Sequence, residues 1–327
     1  PQASSKALAS QPPDAGNDPQ GRISGLFFKP TKPQLTLSAP SDMNAASRPI
    51  GVFDSGIGGL SVLQALQSAL PLEHFVYLAD NAHAPYGEKT DLQVRQRTHA
   101  ITEHLLNQHH IKALVVACNT ATAAAIHELR TRHPQLPLIG VEPALKPAAA
   151  LSQTGHIGVI ATRGTVASDK FARLLDSVEG QAQFTVQACN GLALAIEQST
   201  LPQHADEAQQ RITELLAQYT SAMGIFGTGP GQMDTLVLGC THYVFVESQL
   251  RTLLGTDVQW VSTGEAVARQ TRRLLEAAGL LRSSPAPLSA AQRMSLFTTG
   301  DLHGLQAAAK RWLGLPPGAC HKAPPQV

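Results

Sequence analysis

The chain has 327 residues, 43% of them hydrophobic, and carries 25 lysines and arginines against 24 aspartates and glutamates. This length suffices for two α/β domains with separate cores. The balanced charge argues against nucleic acid or a membrane surface as partner and favours a small molecule. Cys118, Cys189, Cys240 and Cys320 form neither a CxxC pair nor a zinc spacing, and no apolar stretch is as long as a membrane span, so we predict reduced thiols in a cytoplasmic protein.

The first stretch, residues 1–48, is rich in Pro, Ser, Gln, Ala and Gly and has no helical or strand period. Such a segment buries too little apolar surface to fold alone, so we expect a disordered or loosely docked extension. The apolar groups Leu26-Phe27-Phe28 and Leu35-Thr36-Leu37 leave an effector-binding arm as the alternative.

Short apolar runs, each ended by a turn or followed by a helical pattern, then predict buried strands. In the first half they lie at 49–53, 73–80, 113–117 and 138–141. The same succession returns in the second half, at 157–160, 184–189, 235–239 and 258–261. A further strand at 296–301 is placed to cross back onto the first domain.

This repetition predicts two similar, pseudo-symmetric α/β domains with mainly parallel central sheets and an active site in the cleft between them. The first domain is expected to comprise residues 49–141 with about 262–313, and the second residues 142–261. Residues 314–327 look like a tail.

Two cysteines stand at equivalent strand ends in the two halves: Cys118 and Cys240 each follow an apolar run, and a threonine comes within two residues. Ligands of open α/β sheets bind beyond such ends, where a helix N-terminus also favours a thiolate. A thiolate and a thiol on opposite faces of a carbon acid would suit stereoinversion, whereas covalent attack needs one activated thiol with a base. Asp54 is the candidate partner of Cys118, and His242 follows Cys240 closely enough to share its side of an extended segment.

Other features are weaker signals. The turn Asp54-Ser55-Gly56-Ile57-Gly58-Gly59 matches neither GxGxxG nor a P-loop, so it presents backbone N–H groups to a carboxylate or serves helix packing. Cys189 and Cys320 are predicted to be inert, and Glu197, an acid without a visible partner, is assigned by default to the solvated surface.

Several motifs, in order along residues 49–302, strongly resemble those of the bacterial glutamate racemases. The motifs are the stretches 51–62, 79–83, 85–87 and 157–168, together with Ala117-Cys118-Asn119-Thr120-Ala121, Leu238-Gly239-Cys240-Thr241-His242-Tyr243 and Thr299-Gly300-Asp301. The resemblance implies an isomerase of the same α/β fold that interconverts L- and D-glutamate without a cofactor. It also implies that the protein acts in the cytoplasm. There it would supply D-glutamate for peptidoglycan, and hence for cell wall biogenesis.

The resemblance assigns residue roles as well. Cys118 would be the base for D-glutamate and Cys240 the base for L-glutamate, assisted by Asp54 and His242 respectively, and Glu197 matches an acid of the family's second domain. Asp54 and His242 also match substrate-binding positions, as does a further set: Ser55, Pro85, Tyr86, Gly87, Asn119, Thr120, Thr165 and Thr241. Two questions stay open: whether the protein forms a homodimer, and whether a cell-wall precursor binds as an activator.

The chain departs from the family pattern at positions that do not touch the two thiols. The segment 189–197 lacks the prolines common after the cysteine and before the acid, Val244 replaces a proline, Ser262 an aspartate, and Ala84 a larger residue. The alternatives are an aspartate or hydantoin racemase and a regulatory or binding protein on the same scaffold with weak catalysis. A substrate panel separates the first from glutamate racemisation, and binding without turnover would indicate the second.

Overall fold

A computed structural model of the chain describes residues 45–283, 289 and 291–325. The expected N-terminal extension lies almost wholly outside these residues, so that prediction remains untested. The strands are β1 Ile50–Asp54, β2 Phe75–Ala79, β3 Ala113–Val116, β4 Leu138–Gly140, β5 His156–Ala161, β6 Gln183–Ala188, β7 Thr235–Leu238, β8 Gln259–Val261, β9 Met294–Thr298 and β10 Cys320–Lys322.

The α-helices alternate with the strands along most of the chain. They are α1 Leu60–Ala69, α2 Asp91–His109, α3 Asn119–Arg132, α4 Leu145–Leu151, α5 Arg163–Val166, α6 Asp169–Asp176, α7 Leu192–Gln198, α8 Ala205–Met223, α9 Glu247–Leu254, α10 Gly264–Ala277 and α11 Leu302–Leu313. Short 3-10 segments lie at Ala45–Ser47, Asn81–His83, Tyr86–Glu88, Pro202–His204, Thr241–Val246, Ala291–Arg293 and Pro317–Ala319.

Two parallel sheets form the framework. The first has the order β10-β9-β2-β1-β3-β4 and the second the order β6-β5-β7-β8. The four strands that open each half have the same order, 2-1-3-4, so β3 and β7 hold equivalent central places. The prediction of a mixed α/β fold with two mainly parallel sheets is confirmed.

Alternating strand residues give each sheet two apolar faces, and helices cover both. On the first sheet, Ile50 and Val52 pack with α1, α10 and α11, while Phe53 packs with α2 and α3. On the second sheet, Leu236 packs with α7, α8 and α9, while Val237 packs with α4 and α6. The strands are therefore fixed on both sides, and their carboxyl ends become rigid supports for the site.

The end of the chain differs from expectation. The sequence indicated a tail at 314–327, but Cys320–Lys322 forms β10, which pairs with β9 at the edge of the first sheet. Cys320 is buried against the first core together with Leu315 and Ala319. The short strand is too brief for a periodic signal and depends on this distant packing. Among the described helices, none combines the length and apolarity needed to cross a membrane.

Candidate active site

The carboxyl ends of the two sheets meet around one small cavity of about 20 Å³, a space for about one water molecule. Cys118, after β3, and Cys240, after β7, both line it, and each is 6% exposed. The other lining residues are Ser55, Ala84, Pro85, Tyr86, Gly87, Asn119, Thr120, Thr162, Ala193, Glu197, Thr241 and His242. The two equivalent thiols thus face a common, nearly closed volume.

Cys118 caps helix α3 with its own thiol. Its Sγ accepts a hydrogen bond from the Ala121 N–H at 3.5 Å and donates to the Ser55 hydroxyl at 3.6 Å, and that hydroxyl donates to Asp54 Oδ1 at 3.0 Å. Burial, with a contribution from the Asp54 charge, raises the pKa of Cys118 to about 12. Cys118 is therefore a protonated thiol at neutral pH, and hydrogen bonds through Ser55 connect it to Asp54.

Cys240 has a different partner. Its Sγ contacts His242 Nδ1 at 3.6 Å, and His242 Nε2 lies 2.6 Å from Glu197 Oε1. Burial alone would lower the pKa of His242, but hydrogen bonds and charges from Cys240 and Glu197 together raise it well above its ordinary value. His242 is consequently an imidazolium at neutral pH, held between a carboxylate and the thiol group of Cys240.

Asp54 joins the two sides of the site. The carboxylate is fully buried at the end of β1; its Oδ1 accepts from the Gly56 N–H at 3.2 Å and its Oδ2 from the Thr241 hydroxyl at 2.9 Å. Burial raises the pKa of Asp54 to about 6, against the lowering effects of His242 and these hydrogen bonds. Asp54 thus reaches Cys118, its predicted partner, through the hydroxyl of Ser55.

The glycine turn after β1 lies directly against the second half of the chain. The Ile57 N–H donates to Glu197 Oε1 at 2.6 Å. A Cβ at Gly56 would collide with the Glu197 carboxylate, and one at Gly58 would collide with His242 and Thr241. The turn therefore holds a protein carboxylate with its backbone, and these two glycines are required for close approach.

Unused polar groups point to where a ligand could be held. Both amide atoms of Asn119 are buried without a hydrogen-bond partner. Thr120 Oγ1 lies 3.0 Å from Thr162 Oγ1 and 3.4 Å from Thr165 Oγ1, so hydroxyls of both halves meet at the cavity. Asn119 and this threonine cluster can supply donors and acceptors to a small zwitterion at little reorganisation cost.

The loop that carries Tyr86 is fixed from behind. The Tyr86 hydroxyl donates to Asp80 Oδ2 at 2.6 Å, and Arg97 donates to both oxygens of Asp80, at 2.9 and 3.0 Å. Arg97 and the other hydrogen-bond donors lower the pKa of Asp80, although its burial acts in the opposite direction. The Tyr86 hydroxyl is thus already paired, and Tyr86 is one of the residues that line the cavity.

The structure brings together the residues that the sequence singled out, with two corrections. His242 does not lie in an extended segment, because Thr241–Val246 turns into a 3-10 helix that still points the imidazole at Cys240. Glu197 is not on the solvated surface: its side chain is 11% exposed and is paired with His242. Thr165 does not line the cavity, but its hydroxyl contacts those of Thr120 and Thr162, which do.

Sequence reasoning missed two polar residues, one that lines the cavity and one that lies behind it. Thr162 follows β5 at the place that Ser55 occupies after β1, so the internal repeat was the signal that could have found it. Asn81 follows β2 and donates from Nδ2 to Glu197 Oε2 at 2.7 Å. Among the described residues, no group of three or more His, Cys, Asp or Glu side chains is arranged to hold a metal ion.

Comparisons with known proteins identify the class. A family model described as Asp/Glu/Hydantoin racemase matches residues 50–271. A curated glutamate racemase of Ectopseudomonas mendocina is 47% identical over 272 residues, 83% of this chain and 97% of the relative. The chain therefore belongs to the aspartate, glutamate and hydantoin racemase family.

Solved structures agree with this assignment. Glutamate racemase isoform RacE1 of Bacillus anthracis superposes with a TM-score of 0.71 at 32% identity, covering 86% of this chain and 98% of the other. Escherichia coli glutamate racemase, solved with L-glutamate and the activator UDP-MurNAc-Ala, gives 0.68 at 30% identity, covering 81% and 95%. Within its family the chain groups with the glutamate racemases, so the resemblance seen in the motifs is confirmed and the protein is an isomerase of the glutamate racemase type.

Proposed function

We propose that the protein interconverts L- and D-glutamate by two proton transfers at Cα, with Cys240 as the base for the L-enantiomer and Cys118 as the base for the D-enantiomer. The observation that carries this proposal is the pair of thiols at equivalent strand ends of two matching sheets, both lining one cavity. Removal of a proton from one face and delivery to the other inverts the centre.

The charges around the thiols suit the start of the L-to-D direction. Cys118, with its raised pKa, holds a proton to deliver. Cys240 takes the Cα proton in this direction, and the His242 imidazolium lies in contact with its Sγ. One side of the site therefore carries the base and the other the acid.

The reverse direction needs Cys118 to lose its proton. Asp54, with a pKa near 6, is ionised at neutral pH and accepts a proton through the hydroxyl of Ser55. On the other side, the Cys240 thiol then delivers a proton to the planar intermediate and His242 stabilises the thiolate that results. Asp54 and His242 thus have matching tasks on opposite sides.

Acidity at Cα also depends on how the substrate carboxylate is held. The free amide of Asn119, the hydroxyl of Thr120 and the N-terminus of α3 are fixed donors at the cavity. Donors fixed in advance, in a site without bulk water, stabilise the charge that spreads onto the carboxylate when the proton leaves. The relatives are glutamate racemases, and the Escherichia coli relative was solved with L-glutamate, so glutamate is the substrate that we propose.

The biological setting is part of the proposal. The protein would act in the cytoplasm and supply D-glutamate for peptidoglycan. The Escherichia coli relative was solved with a UDP-MurNAc-Ala activator, so a cell-wall precursor is the activator to test first. We also predict a homodimer, and measurement of the protein's mass in solution tests this.

The test is racemisation of L- and D-glutamate in D2O without added cofactor, with aspartate as the substrate control. We expect turnover of glutamate in both directions with deuterium entering at Cα. Cys118→Ser and Cys240→Ser should each lower kcat/KM by at least a thousandfold, because a hydroxyl is a far weaker base than a thiolate. Cys189→Ser, a matched change away from the cavity, should retain most of the activity of the folded enzyme. Full turnover in either site variant would exclude the two-thiol mechanism.

A further inference from the structure

A continuous chain of hydrogen bonds leads away from Cys240 into the first sheet. Beyond His242 and Glu197, it continues from Glu197 Oε2 to Asn81 Nδ2 at 2.7 Å. The Asn81 Oδ1 atom accepts in turn from the hydroxyl of Thr298 at 2.9 Å, and Thr298 is fully buried at the end of β9. Both ends of the Asn81 amide are therefore fixed.

The groups that orient the Glu197 carboxylate come from the other half of the molecule. Glu197 is in α7, which packs on the second sheet, whereas the Ile57 N–H and the Asn81 amide belong to the turns after β1 and β2 of the first sheet. Each carboxylate oxygen has one of these donors, and Oε1 also holds His242. Glu197 is thus in its observed orientation only while the two halves are in contact.

Solvent lies close to this arrangement. A second cavity, of about 220 Å³, is lined by Asn81 and Glu197 together with Thr200, Leu201 and Asp301. The Asn81 side chain lies between Glu197 Oε2 and Thr298. Without the Asn81 side chain, water from this cavity can bind Glu197 Oε2. A mobile water molecule does not orient a carboxylate as a fixed amide group does.

We propose that Asn81 is a positioning residue for the Cys240 base: it orients Glu197 against His242 and makes assembly of this base depend on contact between the two halves. This inference rests on the proposed function, since it concerns the base assigned to L-glutamate. It predicts a defect confined to one of the two proton transfers, because the Cys118 side is held separately by Ser55 and Asp54.

The variant Asn81→Ala tests the proposal. We expect kcat/KM to fall about tenfold in both directions, equally, because the equilibrium constant of a racemisation is one and a hydrogen bond to a charged group is being lost. The diagnostic quantity is the primary deuterium isotope effect on kcat/KM. It should rise for L-[2-2H]glutamate and fall toward one for D-[2-2H]glutamate, because the step at Cys240 becomes the slower of the two.

Three further variants separate positioning from loss of structure. Thr298→Val removes the hydroxyl that holds the Asn81 carbonyl and should shift the isotope effects in the same direction by a smaller amount. Ser55→Ala weakens the Cys118 side and should shift them in the opposite direction. Asn107→Ala, on an exposed position of α2, is the matched asparagine control and should leave them unchanged. Thermal unfolding followed by circular dichroism shows whether each variant is folded.

The outcomes are distinct. Loss of activity in Asn81→Ala with an unchanged ratio of the two isotope effects would make Asn81 merely structural and overturn the inference, as would unchanged activity. If Asn81→Ala does not fold, Thr298→Val replaces it as the test. An unchanged ratio of the two isotope effects in Thr298→Val would then overturn the inference. Failure of the wild-type protein to racemise glutamate would instead defeat the proposed function itself.

Discussion

The two buried ionisable groups nearest the thiols have their pKa values shifted by different causes. Burial raises the pKa of Asp54 to about 6 although four neighbouring groups favour its charge. Burial acts to lower the pKa of His242, but Cys240 and Glu197 outweigh it. Both are therefore charged at pH 7, and Thr241, the residue before His242, donates to Asp54. A negative charge therefore lies on the Cys118 side of the cavity and a positive charge on the Cys240 side.

The pKa of Asp54 leads to a prediction for the pH dependence of catalysis. Above about pH 6 the carboxylate is ionised and can take the proton of Cys118; below it the carboxyl is protonated and cannot. The kcat/KM should therefore fall as pH decreases through about 6, with a limiting slope of one and equally for D- and L-glutamate, because the equilibrium constant of a racemisation is one. Steady-state kinetics from pH 5 to about 9 in buffers of constant ionic strength measures this.

The control is Asp54→Asn, which has the same shape and keeps an acceptor for Ser55 and the Gly56 N–H. We expect kcat/KM at pH 8 to be lower by about a hundredfold, as for loss of one acid–base group, and the decline near pH 6 to disappear. A decline that persists unchanged in Asp54→Asn would assign the titration to another group.

At this scale the sequence identified the thiols and their nearest partners but not the groups behind them. Cys118, Cys240, Asp54 and His242 are found at strand ends or beside each other in the chain, where local patterns are informative. Asn81 and Thr162 act through residues more than 40 positions away. Such contacts have no local signal, so their roles required the structure.

At the scale of elements, the turn after β1 shows why a motif alone was ambiguous. The sequence left two uses for its glycines, presentation of N–H groups and close packing, and the structure supports both. The Ile57 N–H holds Glu197, while Gly56 and Gly58 leave room for Glu197 and for His242. The partners lie in the other half of the chain, which the turn's own composition does not indicate.

This contact predicts that Gly58→Ala impairs catalysis more than folding. The added methyl group would displace His242 and Thr241, and a shift of about 1 Å in a catalytic group costs on the order of a hundredfold in rate. Gly58 has no left-handed backbone angle, so the loss of stability should be that of overpacking, about 1–3 kcal/mol.

Steady-state kinetics and urea unfolding are the measurements for Gly58→Ala. Gly318→Ala is the matched control, because a Cβ there meets open space and its backbone angle is not left-handed. It should change neither quantity. Wild-type kcat/KM in a folded Gly58→Ala variant would show that the space beside His242 is not needed.

For the whole molecule, duplication is the feature that the sequence revealed most clearly. Two successions of four strands predicted two similar sheets, and the sheets do share one strand order. The addition of β9 and β10 to the first sheet alone breaks the symmetry, and β10 was not foreseen because three residues carry no period. Thr298 at the end of β9 and Thr299 directly after it hold Asn81 and Asp80 behind the site. The added strands thus stabilise one wall of the cavity.

The size of the cavity indicates that the two halves must separate before a substrate enters. About 20 Å³ is too small for glutamate, and both thiols are nearly inaccessible. Access should therefore depend on opening, while Cys189 and Cys320, packed in the two cores, should be reached only by unfolding. Thiol alkylation distinguishes these two kinds of exposure.

We expect iodoacetamide at pH 7.5 to modify Cys240 before Cys118, because the pKa of Cys118 is raised to about 12 and only Cys240 has the positive charge of His242 in contact with its Sγ. Saturating L-glutamate should slow both reactions by at least tenfold, since the occupied, closed site excludes the reagent. Cys189 and Cys320 should stay unmodified until urea unfolds the protein.

Peptide mass spectrometry after timed quenching gives the four alkylation rates separately. Equal rates at all four cysteines would mean that global unfolding, and not separation of the halves, exposes the thiols; rapid alkylation of Cys118 and Cys240 that glutamate leaves unchanged would mean that they do not lie in the substrate site.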